Sequence, residues 1–65
     1  MTDEQLKEAV EYFKEHYQKN GTSKSKFEVY LCGYFHTFPR HARYIIEEME
    51  NIGLISVSKG IVRMK

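Results

Sequence analysis

The chain has 65 residues, of which 42% are hydrophobic and 29% are charged, a composition typical of one small globular domain and unlike that of a disordered chain. No apolar run approaches the roughly 18 residues of a membrane span, and the acidic, polar N-terminus does not resemble a signal peptide, so we expect a cytoplasmic protein. The single cysteine, Cys32, excludes an internal disulfide and fits a reducing compartment.

The formal net charge is only +1, but the charges are unevenly distributed along the chain. Residues 1–18 and 47–50 together carry eight acidic residues against two lysines, a net charge of −6. The rest of the chain carries eight basic residues against Glu28 alone, a net charge of +7. This division is compatible with an ordinary solvated surface and with a protein that presents one positive face.

The first segment is predicted to be an amphipathic helix, helix 1, over about residues 3–19. Thr2 and Gln5 form a capping-box pattern at its start, and Asn20-Gly21 is a typical helix stop. Its apolar residues recur at the spacing of one helical face and are predicted to be core: Leu6, Ala9, Val10, Phe13 and Tyr17.

Residues 21–25 are predicted to be a connection, and a short helix 2 follows over about residues 26–33. Ser25 and Glu28 form a second capping-box pattern. A turn comes next, in which Thr37 is the predicted N-cap of the following helix. The predicted core residues of this segment recur at helical spacing: Phe27, Tyr30, Leu31 and Tyr34.

Helix 3 is predicted over about residues 38–52, because Pro39 fits a first turn and Gly53 is typical of the position after a helix end. Its predicted core residues are Ala42, Ile45, Ile46, Met49 and Ile52. Residues 54–65 hold two β-rich runs around Ser58-Lys59-Gly60, which predicts a hairpin with glycine in its turn. An isolated hairpin is marginal in water, so we expect the helices to pack on it in a single α+β domain.

This order of elements resembles the winged helix-turn-helix DNA-binding family, in which a hairpin wing follows the recognition helix. The stretch Ala42–Ile55 is similar to the end of such a helix as it runs through glycine into the first wing strand. A narrower likeness, to the gamma domain of the bacterial chromosome-segregating DNA translocase, lies at Ala42, Ile45, Ile46, Glu47, Met49, Glu50, Gly53, Ile55 and Ser56. The helix start departs from that domain, since Phe38-Pro39-Arg40-His41 replaces its polar, arginine-containing start. The resemblance implies one winged-helix domain over residues 1–65 and binding to duplex DNA, without the translocase role.

The resemblance also implies that the exposed start of helix 3 enters the major groove. Arginine can bind guanine O6 and N7 through two hydrogen bonds, so we expect Arg40 and Arg43 to contact bases. His41 and Tyr44 lie beside them and are expected to assist. Phe38 is expected to pack the start of the helix against the core.

Phosphate contacts are expected from three places around helix 3. They are the residues beside its start, those that precede helix 2 and those of the hairpin: His36 and Thr37, Lys24 and Lys26, and Lys59 and Arg63. Lys65 is a further candidate. Each arginine is also compatible with a solvated surface residue, and Arg43 with an ion pair to Glu47 one turn later. Lys59, taken alone, is compatible with a turn residue selected only for its polarity.

Metal binding and catalysis receive little support from the sequence. Cys32, His36 and His41 have a C-x3-H-x4-H spacing, and Glu28 could add a fourth ligand, but structural zinc sites use tighter ligand pairs. We expect no metal, with Cys32 as a small buried apolar residue. Cys32 and His36 could mimic a nucleophile–base pair, but the chain has no phosphate loop, HExxH or GxSxG motif, so we expect no enzyme activity and no cofactor.

The sequence therefore predicts a double-stranded DNA-binding protein, most simply a small transcription regulator associated with the nucleoid. Regulators of this kind commonly dimerise on palindromic sites, and Tyr12 and His16 of helix 1 are the candidate surface for a homodimer. One alternative is a winged-helix protein-interaction module that exposes an apolar patch of Phe35, Phe38 and Tyr44. The other is a sequence-independent architectural DNA binder, with strong salt dependence and little preference among sequences.

Overall fold

A computed structural model describes residues 2–17 and 21–64. The elements in chain order are α1 (Asp3–His16), β1 (Thr22–Ser23), α2 (Lys24–Phe35), α3 (Pro39–Asn51), β2 (Ile55–Ser58) and β3 (Ile61–Met64). The strands form one antiparallel sheet in the order β1-β3-β2. The predicted α+β class is therefore confirmed. No helix within the described ranges has both the length and the apolar composition needed to cross a membrane.

Helix α1 begins with the predicted capping box. The Thr2 hydroxyl accepts a hydrogen bond from the Gln5 amide at 3.3 Å, and Gln5 Oε1 accepts one from the Thr2 amide at 3.1 Å. The helix ends at His16, earlier than predicted, and the predicted stop at Asn20 lies outside the described residues. Tyr17 follows the helix end and is 63% exposed, so the prediction that it is a core residue is wrong.

Residues 22–23 form a strand where the sequence predicted only a connection. Thr22 pairs with Val62 and Ser23 pairs with Ile61, so β1 adds a third strand beside the predicted hairpin. A two-residue strand is too short for an alternating pattern to reveal it. Only its pairing with β3, about 40 residues later in the chain, defines it.

Helix α2 is longer than predicted at both ends. It begins at Lys24 because Ser23, not Ser25, is its N-cap: the Ser23 hydroxyl accepts a hydrogen bond from the Lys26 amide at 3.2 Å. Pairing within the sheet holds Ser23 in the extended conformation that an N-cap requires (φ −68°, ψ 149°). The helix continues to Phe35 and ends there, since the next residue adopts a left-handed conformation.

Helix α3 matches its predicted bounds to within one residue. Its N-cap is Phe38, so the prediction of Thr37 as N-cap is wrong. Thr37 lies one residue too early, and its hydroxyl oxygen is instead 2.7 Å from His41 Nδ1.

The hairpin forms as predicted. Ser58 pairs with Ile61, which leaves Lys59 and Gly60 as a two-residue turn with φ values of 52° and 75°. Positive φ at both central residues is the requirement of a type I′ turn, whose twist matches that of the strands, and glycine meets it without strain. The turn presents Lys59 at the hairpin tip.

One core joins the helices to the inner face of the sheet. Its fully buried residues are Leu6, Ala9, Val10, Phe13, Phe27, Leu31, Ala42, Ile45, Ile46, Met49, Ile55 and Val62. Tyr30, Tyr34 and Cys32 are half-buried and pack against this core. Ile52 is exposed because it follows the end of α3, so its predicted burial is wrong.

Candidate nucleic-acid interface

The first turn of α3 is left open to the solvent. Phe38 at the N-cap has no side-chain oxygen, and within the described ranges no side chain caps this helix. Pro39 has no amide hydrogen, which leaves the backbone N–H groups of Arg40 and His41 as the free donors of the first turn. These donors lie at the positive end of the helix dipole, a position that favours an anion.

Burial of one face of α3 places a set of charged and aromatic side chains on the other. Arg40, Arg43, Tyr44 and Glu47 line a shallow depression on this exposed face. Four residues of helix 3 were predicted to contact bases or to assist that contact. The structure brings three of them together: Arg40, Arg43 and Tyr44. His41 lies to the side, near Tyr44, in a second depression between α1 and α3.

Arg43 forms an ion pair across the two neighbouring helices. Its Nε donates to Glu28 Oε1 of α2 at 3.0 Å, and the two side chains are 67% and 16% exposed. The predicted alternative of an ion pair with Glu47 is therefore wrong, and Glu28 is not a capping residue of α2. An exposed pair of this kind contributes little stability. The contact orients the guanidinium and uses Nε, while the two Nη groups keep their donors for an external acceptor.

The start of α2 lies against the tip of the hairpin. The Lys24 amide donates to the Gly60 carbonyl at 2.8 Å, which places Lys24 next to the turn that carries Lys59. Lys26 lies in the same first turn of α2, which contains no acidic residue. Two predicted phosphate-contacting groups that are distant in the chain are thus close in the fold.

The remaining predicted site residues are more scattered. His36 is exposed at the left-handed junction after α2, and Arg63 is exposed on the outer face of β3, opposite Ser56. Lys65 lies outside the described residues.

Phe38 is 73% exposed, so the prediction that it packs the helix start against the core is wrong. Phe35 does pack against the core, which reduces the predicted apolar patch to Phe38 and Tyr44.

The residues considered for metal binding have other neighbours. Glu28 is paired with Arg43, and His41 with Thr37. In the part of the chain that the structure describes, no three histidine, cysteine or acidic side chains are close enough to hold one ion.

The candidate dimer residues are neighbours on α1. The rings of Tyr12 and His16 lie 4.2 Å apart, and both line an open groove between α1 and α2.

Comparisons of the chain with models of protein families, with curated proteins and with solved structures find no match. The interpretation of this interface therefore depends on the residues and geometry described above.

Proposed function

We propose that this protein is a winged-helix protein that binds double-stranded DNA, with α3 in the major groove and the hairpin on the adjoining backbone. The observation that carries the proposal is the start of α3, which is exposed, uncapped and basic. Its free amides and Arg40 offer an anion both hydrogen bonds and charge at one place.

The layout of the fold supports this arrangement. In helix-turn-helix proteins the second helix lies in the major groove with its N-terminal residues at the base edges. α3 corresponds to that helix because α2 precedes it by a short turn, and α3 buries only one face. An α-helix with its side chains is about 10–12 Å across, which suits a groove about 12 Å wide, and the 13 residues of α3 extend about 20 Å along it.

The charges around α3 support backbone contacts. The backbone bond from Lys24 to Gly60 places Lys24 next to the turn that carries Lys59, and the proposal has both lysines neutralise phosphates of one DNA strand. The Glu28–Arg43 pair orients the Arg43 guanidinium, which favours a base contact by lowering its ordering cost. Arg40, which has no ion pair among the described residues, is the stronger candidate for direct contact.

A fluorescence-anisotropy titration of a labelled mixed-sequence duplex at several salt concentrations tests the proposal. We expect affinity to fall steeply with salt, and Arg40→Ala to reduce the salt slope by about one unit. Lys7→Ala is the matched control, since it removes the same charge from an exposed position on acidic α1. No binding at low salt by the folded protein, or equal losses in both variants, would contradict the proposal.

A role as a transcription regulator further requires preference for one DNA site. After selection of preferred duplexes, Arg40→Ala should lose about 1–3 kcal/mol at the preferred site and relax its specificity. Equal losses on all duplexes would instead indicate a sequence-independent architectural binder.

Exposure of Phe38 and Tyr44 favours the second candidate function, a protein-interaction module. Exposed aromatic residues at the start of a helix are typical of protein contact surfaces. The variant Phe38→Ala separates the two candidate functions. An unchanged affinity for DNA would show that Phe38 lies outside the DNA interface and is free to contact a protein partner. Loss of DNA affinity would place Phe38 within the DNA interface.

A further inference from the structure

An open groove between α1 and α2 lies apart from α3 and the hairpin, and Lys26 is the one residue of its lining that was also predicted to contact phosphate. Its volume is about 1020 Å³, and none of its lining residues belongs to α3, β2 or β3. Most lining residues are aromatic or small: Tyr12, His16 and Tyr17 on one side, and Val29, Gly33 and Tyr34 on the other. Lys26, in the first turn of α2, is the basic residue of this lining, so a basic partner is expected to place its charges at the opposite, α1 side.

The groove exposes apolar surface that the chain itself leaves uncovered. Val29 is 72% exposed on α2, and Tyr12 and Tyr17 are also exposed. A chain of 65 residues has little apolar surface to spare from its core. A contiguous exposed apolar patch is typical of a binding surface.

The walls of the groove are held together before any partner binds. The Tyr30 hydroxyl of α2 donates to the Ala9 carbonyl of α1 at 2.5 Å. The ring of Tyr30 also meets that of Phe13 edge-to-face, with centroids 4.8 Å apart. A preformed groove loses little conformational entropy when it is occupied.

Gly33 lines the α2 side of the groove, where the absence of a side chain leaves the helix backbone accessible. It lies inside α2, where glycine is less favourable than alanine by about 0.5–1 kcal/mol. No positive φ requires it, and a Cβ placed there would meet no atom within 4 Å. The chain's own packing therefore does not explain the glycine, whereas close approach of a partner would.

A row of carboxylates borders the groove. Glu4, Glu8, Glu11 and Glu15 recur at helical spacing along α1. With Lys7 they line an adjoining depression, which shares Tyr12 and Tyr34 with the groove. A ligand in the groove would thus meet aromatic surface in its centre and negative charge along one side.

We propose that this groove docks a basic amphipathic helix of a partner protein. Apolar side chains of the partner lie between α1 and α2, its backbone approaches Gly33, and its lysine or arginine residues face the glutamate row. A second copy of this chain fits less well, because two copies joined through α1 would bring two glutamate rows together. The proposal does not depend on DNA binding by α3.

The probe for the test is a labelled synthetic helix of leucine and lysine, about 18 residues long with leucines along one face. Its matched control peptide has glutamate in place of lysine. We expect the lysine peptide to bind, and to shift the amide resonances of residues 12–17 and 29–34. The glutamate peptide should not bind.

Two variants test the groove. Glu11→Gln with Glu15→Gln should weaken peptide binding about fivefold, while the charge-matched pair Glu48→Gln with Glu50→Gln on α3 should change it by less than about twofold. Gly33→Leu should abolish most binding without loss of helix content, since leucine is a better helix former than glycine.

Three results would overturn the proposal. Equal weakening by both glutamine pairs would indicate attraction by net charge alone. Undiminished binding to Gly33→Leu would place the peptide elsewhere. The amide resonances of the groove residues are also measured at several protein concentrations without peptide. If they shift with concentration, and Gly33→Leu removes that shift, the groove binds a second copy of the chain.

Discussion

The starts of α1 and α3 differ in almost every feature that a helix start can have. α1 has a complete capping box and acidic residues in its first turn, Asp3 and Glu4. α3 has an apolar N-cap, no side-chain cap among the described residues, and Arg40 and His41 in its first turn. The capping box of α1 satisfies the amides of Thr2 and Gln5, whereas no side chain among the described residues does so at the start of α3.

This difference indicates what holds each helix in place. The first turn of α1 is stabilised locally by its cap. α3 begins without such help, so its stability comes from the apolar face that it buries, with Ala42, Ile45, Ile46 and Met49 almost fully inaccessible. A helix that is anchored by its packing can keep an unsatisfied start available for a ligand.

Loss of packing beneath α3 should reduce the stability of the domain most. Ile46→Ala removes a fully buried side chain and should lower the free energy of unfolding by about 2–5 kcal/mol, a large part of the stability of a domain this small. Urea denaturation measures it. A loss below about 1 kcal/mol would contradict the view that packing anchors α3.

A side-chain cap at the start of α3, like the one at the start of α1, should raise stability and weaken DNA binding. Phe38→Asp adds a cap that can accept from the first-turn amides, so we expect the free energy of unfolding to rise by about 1 kcal/mol. The same carboxylate occupies the proposed phosphate position and should weaken duplex binding about tenfold.

Phe38→Ser provides the control for charge, since serine caps a helix without a carboxylate. Thermal unfolding and DNA anisotropy are measured on both variants. If Phe38→Asp stabilises the fold and binds DNA as well as the original chain, the α3 start is not the DNA site.

Removal of the α1 cap should affect stability alone. Thr2→Ala removes the hydroxyl that accepts from the Gln5 amide, although the backbone amide at position 2 can still donate to Gln5 Oε1. The loss of this cap should cost about 1 kcal/mol, or about 4–8 °C in Tm. Thr2→Ser should restore it. DNA affinity, measured at a temperature where both proteins are folded, should stay the same, and a change there would link α1 to DNA binding.

A weaker effect is expected on the way that stability changes with alkaline pH. Burial, together with Tyr34, Tyr17 and Tyr12 nearby, raises the pKa of Tyr30 well above 10 in the folded protein. As pH rises above 10, the unfolded chain loses this proton first, so the free energy of unfolding decreases. Tyr30→Phe should flatten that decrease between about pH 10 and 11 in chemical denaturation curves. An unchanged slope would show that Tyr30 is not its source.

The sequence alone predicted the buried faces of α1 and α3, the cap of α1, the bounds of α3 and a hairpin around Ser58-Lys59-Gly60 with glycine in its turn. Each depends on interactions within a few residues, whose spacing is visible in the chain. The buried residues of α1 and α3 were predictable for the same reason, and the errors at Tyr17 and Ile52 occurred where a helix ends before its apolar pattern does.

The features that join distant parts of the chain follow from the packing of the folded molecule. Ser23 and Ser25 are both plausible caps of α2, and pairing of β1 with β3 selects Ser23. The Arg43–Glu28 pair and the approach of Lys24 to the hairpin tip likewise connect residues 15 or more positions apart. Such contacts depend on how the helices pack around one core, and local periodicity carries no information about that arrangement.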